Sequence, residues 1–289
     1  MELFKVQNKK IAIVVVLYNP TKDDVNMILS LSSIYSFFLV DNTEFPNISF
    51  TQYSNIYYVC NNTNLGIAEA QNIALREILK GDYEYVVFLD QDTRVAVDYP
   101  LQIAMEFSRI DNGRLAVLGP QVVNAVTGGQ YASAIHKYEI SENGFSLRKH
   151  IISSGSCMSI NALKDVGLMW GELFIDYVDF EWCWRAASKG YQCGVTSHLQ
   201  ISHHVGQREL SIGKYKVIIS AQQRYFYQYR NFIWLIQKKY VPLQWKCATC
   251  VKFLLRLVYF PILVNGGLKY WNNMIKGLKA GIWQRKLAH

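Results

Sequence analysis

Five short runs rich in β-branched and aromatic residues punctuate the first 120 residues: IAIVVVLY (11–18), SFFLVD (36–41), IYYVC (56–60), YVVFLD (85–90) and LAVLGP (115–120). Stretches with helical spacing lie between several of them, at 24–31, 67–79 and 101–107. A parallel strand pair needs a crossover connection, so this alternation predicts an α/β fold with a mostly parallel sheet and helices on both faces. Ligands of such sheets bind beyond the carboxyl ends of the strands. Three acids fall there: Asp41 closes the second run, and Asp90 and Asp92 close the fourth.

The stretch VVFLDQDTRV (86–95) sets two carboxylates one residue apart where an apolar run stops. Period-2 geometry points both to one side, and like charges so placed repel. Alone, either acid reads as a turn or cap residue. Together, as hard oxygen donors followed by Thr93, they suit Mg²⁺ or Mn²⁺, which takes one or two carboxylates plus substrate phosphates and water.

A second acidic group is FIDYVDFEWCWR (174–185), at the start of a helix expected over 177–189. Glu181 and Arg185 have the i,i+4 spacing of a surface ion pair, a structural role. Asp176 and Asp179 sit where one caps the other's amides, or where Asp179 serves as a general base. In ISHHVGQRE, His203 and His204 end a strand-like run; adjacent side chains on a strand diverge, so one alone would reach an ion.

Charge is divided unevenly. Residues 1–209 carry 16 Lys and Arg against all 22 Asp and Glu, whereas from Leu210 onward there are 14 Lys and Arg and no acid. Such a block seeks an anionic surface, either nucleic acid or the cytoplasmic face of a membrane. Beyond Gly213, from YKVIISAQQ onward, aromatics, aliphatics and basic residues mix at helical spacing. The best apolar segment, LVYFPILV (257–264), falls far short of the roughly 20 residues a spanning helix needs, so it lies on a membrane or packs on the domain. The expected division is a domain over 1–213, containing the whole site before Leu210, and C-terminal amphipathic helices over 214–289. Six cysteines and no apolar leader in MELFKVQNKK suggest a reducing cytoplasmic compartment. Cys247 and Cys250 lack the second pair of a zinc site and read as ordinary helix residues.

In this order, VVVLYNP, LVDNT, NNTNLGIAEAQNIAL, FLDQDT, SGSCMSINALKDVGLMWGELFIDYVDFEWCWRAASKGY and HHVG resemble the family 2 glycosyltransferases of GT-A fold, with its Rossmann-like nucleotide-binding sheet. Within these the resemblance is to the dTDP-rhamnose-dependent rhamnosyltransferases of bacterial O-antigen and surface polysaccharide synthesis, and it covers roughly residues 11–210. It implies that Asp41 accepts the N3–H of uracil or thymine, with Tyr18 and Asn19 in the same pocket. It also places the run from 64 to 72 beside the nucleoside, with Asn64 and Asn72 in it and Gly66 permitting close backbone approach. Asp90 would face the ribose and the ion's water shell, and Asp92 would ligate the ion, with His203 completing the metal shell. Asp179 stands at the family's base position, six residues before Arg185. Val178 stands where the family has Glu, so a partner acid would be Asp176 or Glu181.

The implied chemistry is inversion by one in-line displacement, giving an α-L-rhamnoside from dTDP-β-L-rhamnose with Mg²⁺ or Mn²⁺. The partners implied are a nucleotide-sugar donor and a polyprenyl-diphosphate-linked saccharide acceptor, at the cytoplasmic surface of the inner membrane. No nucleic-acid partner is expected, because a nucleic-acid binder leaves the acidic cluster unexplained. A nucleotidyltransferase needs a Gly-rich loop after the first strand, and LYNPTKDD has no glycine. The competing use of the tail's aromatic stripes is packing on the domain or pairing two copies as a homodimer.

Overall fold

A computed structural model of the chain describes residues 10–46, 50–124, 144–203, 208–212 and 215–285. The first half alternates as expected: β1 (Ile11–Leu17), α1 (Lys22–Ser32), β2 (Ser36–Asp41), β3 (Ile56–Cys60), α2 (Gly66–Ile78), β4 (Tyr85–Asp90), α3 (Tyr99–Ile110) and β5 (Leu115–Asn124). The uninterrupted apolar run of β1 reflects burial on both faces. Ile11, Ile13, Val15 and Leu17 enter one core with α1 and α3, while Ala12 and Val14 enter the other with α2. A capping box starts α1: Asp24 N–H donates to the Thr21 hydroxyl at 3.3 Å, and the Thr21 amide donates to the Asp24 carboxylate at 2.8 Å.

The second half is less regular: β6 (Phe145–Arg148), β7 (Cys157–Ser159), α4 (Ile160–Val166), α5 (Val178–Ser188) and β8 (Gln192–His203). The sheet has eight strands in the order β3-β2-β1-β4-β7-β5-β8-β6, with β7 and β6 antiparallel to their neighbours. Strand order reverses beside β1, which pairs in parallel with both β2 and β4. That junction is where a parallel sheet opens a crevice.

The segment YKVII is a strand, not the start of a helix. β10 (Tyr215–Ile219) pairs antiparallel with β9 (Arg208–Ile212), so its β-branched residues have a partner strand. Helix resumes as α6 (Gln222–Leu235), α7 (Leu243–Leu263) and α8 (Gly267–Arg285). Tyr225, Tyr229 and Phe232 of α6 meet Phe253 and Phe260 of α7 and Met274 of α8 in a core of their own. The helices α6 and α8 pack closely, since a Cβ on Gly277 would lie 2.3 Å from the Phe226 carbonyl oxygen. Among the described residues no helix is long and apolar enough to cross a membrane. All six cysteines are free, with Cys247 and Cys250 exposed on α7.

Candidate active site

A cleft of about 260 Å³ opens at the carboxyl ends of β1 and β4. Val14, Val16, Phe88, Leu89 and Asp90 form its floor, Asn42, Asn64, Gly66 and Gln71 one wall, Phe174 another, and Tyr18 lies at the rim. Gly66 has φ +80°, and a Cβ there would lie 2.5 Å from the Phe174 ring, so only glycine lets Phe174 close that wall. Three asparagines fix the entry to α2. Asn64 Oδ1 accepts from the Gly66 amide at 2.9 Å, Asn42 Nδ2 donates to the Gly66 carbonyl at 3.1 Å, and Asn61 Nδ2 donates to Asn42 Oδ1 at 2.9 Å.

Other sequence-predicted residues sit behind this surface. Asp41 is 1% exposed, its carboxylate accepting from the Thr43 amide at 2.8 Å and the Tyr58 hydroxyl at 3.0 Å, and its neighbour Asn42 is the residue on the wall. Asn19, at φ 48°, donates its amide to the Thr43 hydroxyl at 2.8 Å. Asn72 does not join the lining: its Nδ2 donates to the Met169 carbonyl at 3.0 Å and its Oδ1 accepts the Met169 amide at 2.9 Å. One helical step turns the side chain away from the cleft, and Gln71 faces it instead.

The loop after β4 is pinned by its other residues. Gln91 bonds the Tyr18 backbone both ways, accepting from N–H at 2.7 Å and donating to C=O at 3.2 Å. The Thr93 and Ser154 hydroxyls lie 2.8 Å apart, and Arg94 reaches Asp24 at 2.7 Å. The Thr93 amide donates to the Asp90 carbonyl at 3.0 Å, closing a turn, so Asp92 lies beyond the strand and the period-2 argument for it lapses. Asp90 lines the cleft; Asp92 is exposed. Both offer hard oxygen donors, and Arg94, the nearest cation in sequence, is committed to Asp24. Among the described residues no three His, Cys, Asp or Glu side chains gather to hold a metal. His203 ends β8, its backbone paired with Asn124; its side chain and all of His204 lie outside the described residues.

The acids around α5 have separate fates. Asp176 is held by Arg224 at 2.6 and 3.2 Å, and Val178 is buried. Glu181 is 1% exposed, so its pair with Arg185 is buried and not on the surface. It accepts Arg185 Nε at 2.9 Å, a second guanidinium N–H at 3.1 Å and the Tyr240 hydroxyl at 2.7 Å. Neither acid is available as a partner to Asp179. Glu181→Gln leaves Arg185 without its counter-charge and is expected to cost about 2 kcal/mol in urea unfolding, with turnover of the folded fraction nearly unchanged.

Asp179 Oδ2 accepts the Ser153 amide at 3.2 Å, and Oδ1 accepts the Phe180 amide at 2.9 Å. Burial pushes its carboxyl up to about 7, opposed by those amides and reinforced by the charge of Asp90. The small pocket it lines shares Gln71, Phe88 and Ser153 with the main cleft.

The preceding loop carries three non-glycine residues at positive φ, Phe174 at 64°, Asp176 at 66° and Tyr177 at 68°, each a costly conformation. Side chains of α6 hold it. Asn231 Nδ2 lies within 3.1 Å of the carbonyls of Leu173, Ile175 and Asp176. Arg230 donates to the Glu172 and Leu173 carbonyls at 2.6 and 3.1 Å, its guanidinium 4.3 Å from the Trp234 ring centre. The residues that line the cleft all lie before Leu210, but the loop that carries Phe174 is held from behind by Arg230 and Asn231 of α6. Nothing in the tail's sequence signalled these residues beyond an Arg-Asn pair inside an aromatic helix.

The reversed strand order, with a crevice at the carboxyl ends of β1 and β4, is that of a GT-A fold. No family model matches the chain. Over 252 residues it is 29% identical to dTDP-rhamnosyl transferase RfbF of Shigella flexneri, covering 82% of this chain and 83% of that one. Among solved structures, S. aureus TarS 1–349 in complex with UDP-GlcNAc superposes with a TM-score of 0.55 at 15% identity, covering 94% of this chain and 80% of that one. For the longer S. aureus TarS the TM-score is 0.52 at 15% identity, over 88% of this chain and 44% of that one.

Proposed function

We propose that the chain is a family 2 inverting rhamnosyltransferase, moving L-rhamnose from dTDP-β-L-rhamnose to a hydroxyl of a polyprenyl-diphosphate-linked saccharide in O-antigen assembly. The donor reading draws on the relative named a dTDP-rhamnosyl transferase. The observation that carries the chemistry is Asp179, a carboxylate beside the cleft whose burial brings it near neutrality, where a general base works best.

In this reading Asp41 and its neighbours Asn19, Asn42 and Tyr18 orient the base, and Asn64 and Gly66 let the nucleoside approach the backbone at the start of α2. The acceptor hydroxyl gives its proton to Asp179. Its oxygen then bonds to the anomeric carbon as the bond to the diphosphate oxygen breaks, and the electron pair leaves with dTDP. Asp92, with Asp90 behind the water shell, would hold Mg²⁺ or Mn²⁺, with His203 as a further ligand. When bound, the ion supplies charge neutralisation on the departing diphosphate.

The deciding experiment offers the purified protein a panel of dTDP- and UDP-sugars with Mn²⁺ and follows nucleoside diphosphate release. Release from dTDP-rhamnose above the UDP-sugars is expected; preference for a UDP-sugar would reject the donor, and no release from any would reject the reaction. A narrower expectation concerns Asp92→Ala. In calorimetric titration of dTDP, the gain in affinity on adding Mn²⁺ is lost, by at least about tenfold, while the fold persists because Asp92 is exposed. An unchanged gain would sink the ligand role.

A further inference from the structure

The helix α7 is apolar on two opposite sides. Thr249, Phe253 and Phe260 are buried inward, with Phe253 and Phe260 in the core shared with α6 and α8. On the far side Val251, Leu254, Leu255, Val258 and Ile262 are 58 to 76% exposed. Their spacing, i, i+3, i+4, i+7 and i+11, draws one stripe roughly 17 Å long along the helix. A helix apolar all round needs a second partner to cover it.

The surrounding charge says which partner. Lys269, Lys276 and Lys279 of α8 are exposed, and the sequence from Leu210 onward holds no acid to neutralise them. A second copy seated on the stripe would set these lysines against its own with no counter-charge. A purely polar polyanion would leave the stripe in water. An anionic bilayer covers both, with aliphatic side chains at the acyl boundary and lysines among the headgroups. Exposed Trp271 and Trp283 of α8 have the amphipathic rings that settle at such an interface. No described helix is able to cross, so the contact is in plane.

We propose that the outer stripe of α7 is a membrane-docking surface that lies in the interface of an anionic bilayer, with the exposed lysines of α8 at headgroup level. The proposal does not depend on which sugar the cleft takes.

The test uses the full chain and vesicles of phosphatidylcholine alone or with phosphatidylglycerol, scored by co-sedimentation across salt concentrations. Wild type is expected to bind the anionic vesicles, weakly at high salt but measurably. The triple variant Val251→Ser, Leu255→Ser and Ile262→Ser should lose about tenfold or more in bound fraction at every salt concentration. The triple variant Lys269→Gln, Lys276→Gln and Lys279→Gln should lose the salt-sensitive part alone. Circular dichroism and release of nucleoside diphosphate from a soluble donor, unchanged in both variants, separate loss of docking from loss of fold. Equal binding by wild type and the serine variant overturns the proposal. So does a wild-type dimer in sedimentation velocity that the serine variant dissolves without any change in vesicle binding.

Discussion

At pH 8 the Asp179→Asn variant is expected to melt at a higher temperature than the wild type while turning over its donor at least about 10²-fold more slowly. Both effects come from one carboxyl group. Burial raises Asp179 from its ordinary 3.8 to about 7, so between those values the folded protein keeps a proton that the unfolded chain has released. Stability contributed by this group therefore falls as pH rises through that window, and above about pH 7 the full penalty of a buried charge is present. Asparagine carries no such charge. Because Asp179 is largely but not wholly shielded from solvent, the gain is on the order of 1–3 kcal/mol at pH 8 and vanishes below about pH 4. Wild-type turnover should rise along a limb centred near pH 7, and the variant should lack that limb. Thermal melts at pH 4 and pH 8 with a pH–rate profile check all three. A variant as active as wild type would remove Asp179 from the reaction.

Asn231→Ala is expected to be the more damaging change to the fold. Asn231 is 0% exposed, and its amide reaches three carbonyls of the loop that carries Phe174 and leads into Asp179. Alanine leaves those acceptors buried without their donor and releases residues held at positive φ, a loss of about 2–4 kcal/mol. Turnover at a temperature where the variant is still folded should fall about tenfold or more, since the wall of the cleft and the head of α5 share this support. Urea unfolding followed by steady-state kinetics measures both. A normal urea midpoint together with normal turnover would show that the loop holds its shape without α6.

The strands of the first half were legible because a sheet covered on both faces writes its strands as apolar runs. The limits of β2, β3 and β4 fall at the residues where SFFLVD, IYYVC and YVVFLD begin or end. β7 was not legible: three residues, Cys157–Ser159, have no period to read, and their strand character comes from pairing with β4 and β5. The segment YKVII misled because its identity depends on β9. In the site, glycine and acid positions carried the signal. Gly66, Asn64 and Asp90 line one cleft, and Asp179 stands beside it. Asn72 shows the limit of reading by segment, since a run can reach a cleft while one member turns its amide to a backbone on the other side. Arg230 and Asn231 were hidden because their partners lie 55 to 58 residues earlier, a distance across which no local pattern speaks.

That separation has a consequence for the growing polypeptide. Synthesis delivers the eight-stranded sheet first, and the Phe174–Tyr177 turn waits for a helix that emerges about fifty residues later. Until then the loop's carbonyls lack the N–H groups of Asn231 and Arg230, and Asp176 lacks its counter-ion Arg224. A nascent or prematurely released chain thus carries the crevice of the sheet without a fixed Phe174 wall, and the wall sets only when the basic helices arrive.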